Sequence, residues 1–552
     1  MMGINRRDVM SSMLSLAAAP LVPRLASGTQ NTVTAMTQWG PIRGLRDGGV
    51  NTFKGVPYGA DTSAEGRFRR PRPPIPWRQT RDAFEYGPAC SQSDPAAPRR
   101  RLLEPESEDC LTLNVWTPGL RDGGKRPVMV WFHGGGLWRL SAAGDDQSGV
   151  HISGRGNVVM VSPNHRIGVF GFAPLEQFAP EAFPAASQMG MLDLVMALEW
   201  VRDNIEEFGG DPGNVTIMGQ SGGGQKVSLL MAMPVARGLF HKAIIQSGPM
   251  PLSLGASYAR SLGERLLDKL SIPPSQARRI QSLTTEDILK GYYELFHDIG
   301  GFGVLGIVQD FAPVVDGVNL PQEPFWYRAP NCSERVPLLI GTTRTEMTEY
   351  TLGMDPNAFK MSFAQIEVKL ASYFGNDAAR ILAGYRRRHP GVSSWEIYSL
   401  ILSDWPTRLF SIRIADAKVR QAKAPVFVYR MDWKTRDRDG LLMSPHAIDI
   451  QFALATVPGD PVQLAERRQM TAQMSEAWIA FARTGRPDHA AIPKWPPYDR
   501  EHRSAMLFNL ESRVAVDPDG ADLRSLQKNL PNYRVVAGGP VPDAGEVPCV
   551  KQ

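Results

Sequence analysis

Thr216–Leu230, TIMGQSGGGQKVSLL, is an apolar run that ends in a glycine-framed serine and passes into a second apolar stretch. Two chemistries use glycines in such a place. A phosphate-cradling loop needs G-x-x-x-x-G-K-[ST]. Gly219 and Gly224 have that separation, but Gln225 intervenes before Lys226, and Val227 stands where a magnesium-binding hydroxyl is required. A nucleophile turn needs G-x-S-x-G between a strand and a helix. Gly219–Gly223, GQSGG, meets that pattern. Small neighbours let the chain turn sharply enough to expose the serine, and the following helix directs free N–H groups at developing negative charge. Lys226 has no part in that chemistry.

The surroundings of this turn define the fold class. Upstream, Leu194, Leu198, Val201, Ile205 and Phe208 recur at helical spacing and stop at Gly209–Gly210. Strand, helix and strand in this order make a right-handed crossover in a mostly parallel sheet. Arg126–Phe132, Asn157–Ser162, Lys242–Gly248, Val336–Gly341 and Ala424–Arg430 are continuous apolar runs, as expected of strands buried on both faces. Segments 252–300 and 356–422 read as helical insertions, 47–90 as irregular chain around short strands. The expectation is an α/β fold, one domain over 29–552.

A second glycine cluster, HGGG at His133–Gly136, follows the strand Arg126–Phe132. A loop of this type after an early strand offers backbone N–H groups to an oxyanion, and glycine lets the backbone approach the substrate. Gly135 and Gly136 are the candidate donors, with Gly222 as the third. A serine nucleophile also needs a base and an orienting acid. His446 lies beyond the strand Ala424–Arg430 and fits the chain order serine, acid, histidine. His133 reads as structural, and His489 and His502 lie in polar tail-like stretches. Glu346, just past Val336–Gly341, is the first candidate acid; Asp449 is its rival, and Glu349 and Asp432 are weaker ones.

Composition narrows the partners. The formal net charge of +5 over 552 residues, with no basic run beyond Arg99–Arg101, argues against nucleic acid. Residues 1–28 combine Arg6–Arg7, a mildly apolar run and small residues, the pattern of an export signal of the twin-arginine type. That run is too short and interrupted for a stable membrane helix. The expected location is the periplasm or the exterior of a bacterium. Cys90 and Cys110 flank a polar, proline-containing loop and are candidates to staple it; the fate of Cys332 and Cys549 is open. No cysteine or histidine spacing suggests a metal site.

Taken together, these segments resemble the type-B carboxylesterase family, which includes cholinesterases and bacterial carboxylesterases. The resemblance rests on FKGVPYG (Phe53–Gly59), RFRRPRPPIPW (Arg67–Trp77), EDCLTLNVWTP (Glu108–Pro118), HGGG, NHRIGVFGF (Asn164–Phe172) and the turn itself. GLFHKAIIQSG, FAPVVDG, LLIGTTRTE, FARTGRP and WPPY extend it over nearly the whole chain beyond the export segment. It implies an α/β-hydrolase fold with an active-site gorge and serine hydrolysis of a small-molecule ester, with no cofactor or metal. By position it makes Ser221 the nucleophile, Glu346 the acid, His446 the base, and Gly135, Gly136 and Gly222 the oxyanion donors. It also implies a Cys90–Cys110 disulfide.

The chain departs from the family pattern in four places. Gln220 stands where glutamate is usual, Met347 where glycine is, and Pro445 stiffens the histidine loop. The Cys90–Cys110 loop has no tryptophan to hold a quaternary ammonium, which argues against choline esters. Trp138, Trp326 and Trp405 are alternative gorge-lining candidates.

Overall fold

The computed structural model describes residues 31–97, 102–299, 311–457 and 463–529. The export segment and Cys549 lie outside them. The strands run in chain order as β1 (Thr32–Thr37), β2 (Gly40–Asp47), β3 (Val50–Pro57), β4 (Arg81–Asp82), β5 (Ala89–Cys90), β6 (Glu106–Ser107), β7 (Thr112–Thr117) and β8 (Arg126–Phe132). They continue as β9 (Val159–Pro163), β10 (Gly210–Gln220), β11 (Lys242–Gln246), β12 (Leu338–Thr343), β13 (Val426–Met431), β14 (Ser504–Phe508) and β15 (Arg513–Val516). All but β5 and β6 belong to one sheet, ordered β1-β2-β3-β7-β9-β8-β10-β11-β12-β13-β14-β15, with β4 beside β2.

The run from β9 through β8 and β10 to β14 is parallel throughout. Antiparallel strands close both ends, β1, β2, β3 and β7 on one side and β15 on the other. This is the architecture of an α/β hydrolase. Along β8, Val128, Val130 and Phe132 enter one core while Met129 and Trp131 enter the other. That alternation follows from the two-residue repeat of a strand, and it explains why the run is apolar at every position.

β8 has the span expected from the sequence. β9 begins two residues later than expected, because Asn157 takes a left-handed conformation (φ 43°) that ends the helix Val150–Gly156. The crossover helix is Met189–Asn204, continued by a tighter turn to Phe208 and stopped at Gly209 (φ 69°). The insertions are helical as read: Ala256–Lys269 and Thr285–Asp298 in the first, and Phe363–Phe374, Ala378–Arg388, Ser394–Ser403 and Leu409–Val419 in the second. The second insertion builds its own apolar core around Ile366, Tyr385, Ile401 and Trp405. Two regions carry more sheet than expected. The chain from Thr32 to Pro57 forms three meandering strands, and the stretch after His502 forms the hairpin β14–β15.

Candidate active site

Ser221 sits between the carboxyl end of β10 and the helix Gly222–Leu230, with φ 55° and ψ −122°. A non-glycine residue held there is strained and persists only where its surroundings dictate it. They do so by contact. A Cβ at Gly222 would stand 2.0 Å from the Gly136 carbonyl oxygen, and one at Gly223 would stand 2.0 Å from that of Phe132. The Ser221 N–H is also bonded to the Gln246 carbonyl of β11 at 2.8 Å. The turn therefore interlocks with the HGGG loop and with the neighbouring strand.

In that loop Gly135 and Gly136 both have positive φ, 80° and 63°. Neither N–H finds an acceptor among the described residues. The Gly136 nitrogen lies 2.5 Å from where a Gly222 side chain would start, which brings the glycine loop against the residue that follows Ser221.

Glu346 lies three residues past β12 and is fully buried. One carboxylate oxygen accepts from the Thr343 N–H at 2.7 Å; the other meets His446 Nδ1 at 2.5 Å. The loops carrying these two residues are stitched together. Thr345 N–H donates to the Ser444 carbonyl at 3.1 Å, and Ser444 N–H donates to Thr345 Oγ1 at 2.9 Å. Arg408, paired with Asp404, donates to the Thr343 and Arg344 carbonyls and holds the acid loop from below. Burial opposes a charge on His446. The hydrogen bond and charge of Glu346, helped by Asp449 and Glu349, outweigh it and raise the imidazole above its ordinary value.

Asp449 is equally buried but accepts from Tyr429 Oη at 2.7 Å and Gln246 Nε2 at 3.1 Å. The side chain bonded to the imidazole is that of Glu346. With Nδ1 donating to Glu346, Nε2 of the ring is an acceptor, and Gln220 Nε2 lies 3.0 Å from it. This contact was not foreseen from the sequence. Its signal was there, since Gln220 is a departure immediately beside Ser221. Among the described residues the Ser221 hydroxyl makes no hydrogen bond to the ring, so the Gln220 amide holds the nitrogen that the serine would use.

Three other expectations meet the structure here. The expected Cys90–Cys110 pair comes together as two buried thiols: Cys90 lies in β5 and Cys110 three residues past β6, and hydrogen bonding to Cys90 together with burial raises Cys110 well above its ordinary value. Cys332 is likewise a free thiol, and it donates to the Met231 carbonyl. Among the tryptophans, Trp138 borders the glycine loop, its ring 3.1 Å from the position of a Gly136 Cβ. Trp405 is buried against Phe374 in the helical insertion. Trp326 lines a separate cleft of 340 Å³ with Arg413, Arg420 and Arg503, which contains neither Ser221, Glu346 nor His446.

Comparison with known proteins agrees with this fold. The carboxylesterase family model matches residues 30–525. The para-nitrobenzyl esterase of Bacillus subtilis (strain 168) is 33% identical, with 89% of this chain and 97% of that protein aligned. The phenmedipham hydrolase of Pseudarthrobacter oxydans is also 33% identical, over 89% of this chain and 99% of that one. Among solved structures, the carboxylesterase EST55 of Geobacillus stearothermophilus superposes with a TM-score of 0.76 at 33% identity, covering 89% and 99% of the two chains. The chain belongs to the carboxylesterase family. It is a carboxylic ester hydrolase of the α/β-hydrolase fold. Among the described residues no helix is long and apolar enough to cross a membrane, and no group of histidine, cysteine or carboxylate side chains is arranged to hold a metal.

Proposed function

We propose that Ser221 is the nucleophile, His446 the general base and acid, and Glu346 the residue that orients and charges the imidazole. The 2.5 Å bond between Glu346 and His446 Nδ1 carries this reading, because it leaves Nε2 as a proton acceptor facing the serine turn. In the first step Nε2 exchanges the Gln220 amide for the Ser221 hydroxyl and takes its proton as Oγ attacks the ester carbonyl. The imidazolium formed is stabilised by Glu346. The negative oxygen of the tetrahedral intermediate is met by the N–H groups of Gly135, Gly136 and Gly222. His446 returns its proton to the leaving alcohol, and water repeats the attack on the acyl-enzyme.

The substrate is a small-molecule ester. The relatives' names, para-nitrobenzyl esterase and phenmedipham hydrolase, suggest aromatic substrates, and Trp138 beside the glycine loop supports an aromatic wall. The catalytic domain spans 29–552, and the Arg6–Arg7 segment directs the folded chain out of the cytoplasm. In an oxidising compartment the adjacent Cys90 and Cys110 thiols give up two protons and two electrons to a thiol oxidant and pair. Ser221→Ala tests the core of the proposal: turnover of a p-nitrophenyl ester is expected to vanish in a folded protein. Retained activity would remove Ser221 from the mechanism.

A further inference from the structure

Lys226 is the fifth residue of the helix that follows Ser221, at the start of its second turn, and it is completely buried. Its Nζ donates to the main-chain carbonyl of His133 at 2.9 Å. His133 opens the HGGG loop. Its Nδ1 donates to the Gly134 carbonyl at 2.9 Å, and its ring lies 4.7 Å from that of His165. His165 is also buried, and neither of its ring nitrogens has a partner among the described residues. Burial pushes the Lys226 amine well below its ordinary value, and burial lowers both imidazoles as well.

Burying an amine costs stability, and methionine would fill a similar volume without that cost. What the amine adds is its grip on one carbonyl. Three consecutive glycines have wide backbone freedom, so Gly134–Gly136 cannot hold their own N–H directions. They need anchors from outside. On the far side the Gly168 N–H donates to the Leu137 carbonyl at 2.7 Å, and the Arg139 N–H donates to the Gly135 carbonyl at 3.2 Å. On the near side the backbone is pressed against the helix, a Cβ at Gly223 meeting the His133 carbonyl oxygen at 3.2 Å. The Lys226 Nζ–H supplies a hydrogen bond that joins the helix to this near end.

We propose that Lys226 is a positioning residue of the oxyanion hole. By holding the His133 carbonyl it fixes the rotation of the His133–Gly134 peptide, and through it the directions of the Gly135 and Gly136 N–H groups. This rests on the oxyanion assignment made above.

The test compares wild type with Lys226→Met and Lys226→Gln, with Ser221→Ala alongside. Melting temperature, kcat and KM for a p-nitrophenyl ester, and the affinity for a trifluoromethyl ketone are measured. The ketone forms a tetrahedral oxyanion on the serine, so it reports the oxyanion hole directly. Loss of one oxyanion donor costs about 100-fold or more in kcat, so loosening two without removing them is expected to cost about 10-fold. In Lys226→Met, kcat should fall by that factor with KM unchanged, ketone affinity should fall in parallel, and the melting temperature should hold or rise. A folded variant with full kcat, or with lower kcat but full ketone affinity, would overturn the proposal. Failure of both variants to fold would also overturn it, since the amine would then be holding the core. If Ser221→Ala is inactive while Lys226→Met is normal, only this inference falls; if Ser221→Ala is active, the nucleophile reading falls first and takes this one with it.

Discussion

Glu346→Gln changes one atom and should disable the base. The wild-type carboxylate accepts twice, from the Thr343 N–H at 2.7 Å and from His446 Nδ1 at 2.5 Å. A glutamine in the same place must keep its oxygen toward Thr343, because that donor is a buried main-chain N–H. Its NH2 then faces Nδ1. Two donors cannot share that contact, so the imidazole moves its proton to Nε2, which is the nitrogen that has to accept from serine. A wrong tautomer of this kind lowers kcat by about 10^4 in serine hydrolases, equivalent to about 5 kcal/mol of transition-state stabilisation. Steady-state release of p-nitrophenol measures it, with KM expected to change little because the carboxylate touches no substrate. The pH profile adds an independent check. Glu346 raises the His446 pKa, and activity in the wild type is lost as pH falls through that raised value. Without the carboxylate the same limb should move to lower pH. The companion variant Asp449→Asn should stay within about 10-fold of wild type, because Asp449 is bonded to Tyr429 and Gln246 rather than to the ring. Activity of Glu346→Gln within 10-fold of wild type, or a collapse in Asp449→Asn alone, would refute the assignment of the acid.

Gln220→Glu replaces a donor at Nε2 with a buried negative charge that favours the imidazolium; the acidic limb of kcat/KM should rise by about one pH unit, about 1.4 kcal/mol, and an unmoved limb would show that Gln220 is electrostatically idle. Arg166→Met removes a buried guanidinium that meets Asp193 through Nε at 2.9 Å and Nη2 at 2.6 Å, leaving the carboxylate without a charge partner and with only the main-chain N–H of residue 166, at 3.0 Å; chemical denaturation should show a loss of about 3–5 kcal/mol, and a loss under 1 kcal/mol would contradict that. Oxidation of Cys90 and Cys110 should close a loop worth about 3 kcal/mol, read as a higher melting temperature in oxidant than in reductant, with the difference abolished in Cys90→Ser.

Much of this protein is written locally. The turn at Ser221 was legible because its geometry admits little but glycine at Gly222 and Gly223, and sterics of that kind act between near neighbours and leave a mark in composition. β8 was legible for a similar reason, since a strand buried on both faces has to be apolar at every position. The strands β1 to β3 were less so. β1 and β2 mix exposed with buried positions, β3 mixes buried with half-buried ones, and polar residues and glycines interrupt the apolar pattern. In the hairpin β14–β15 the first strand is a short buried run of five residues set between charged stretches, and the second, β15, is the exposed edge of the sheet, where an apolar pattern is not required.

By itself the sequence determined the chemistry on offer: a strained serine, a glycine loop, a histidine and several carboxylates in a parallel α/β chain. Which of them meet was decided by the tertiary structure. Glu346 and Asp449 are both buried acids close in space to His446, and only the path of the loop after β12 makes Glu346 the one bonded to the ring. The same folding put the Gln220 amide on Nε2 and the Lys226 Nζ on the His133 carbonyl, and it brought the two thiols together. The physical reason is distance along the chain. Hydrogen bonds such as these three, between residues 93 to 226 positions apart, are fixed by how sheets and loops pack, and periodicity carries no information about them.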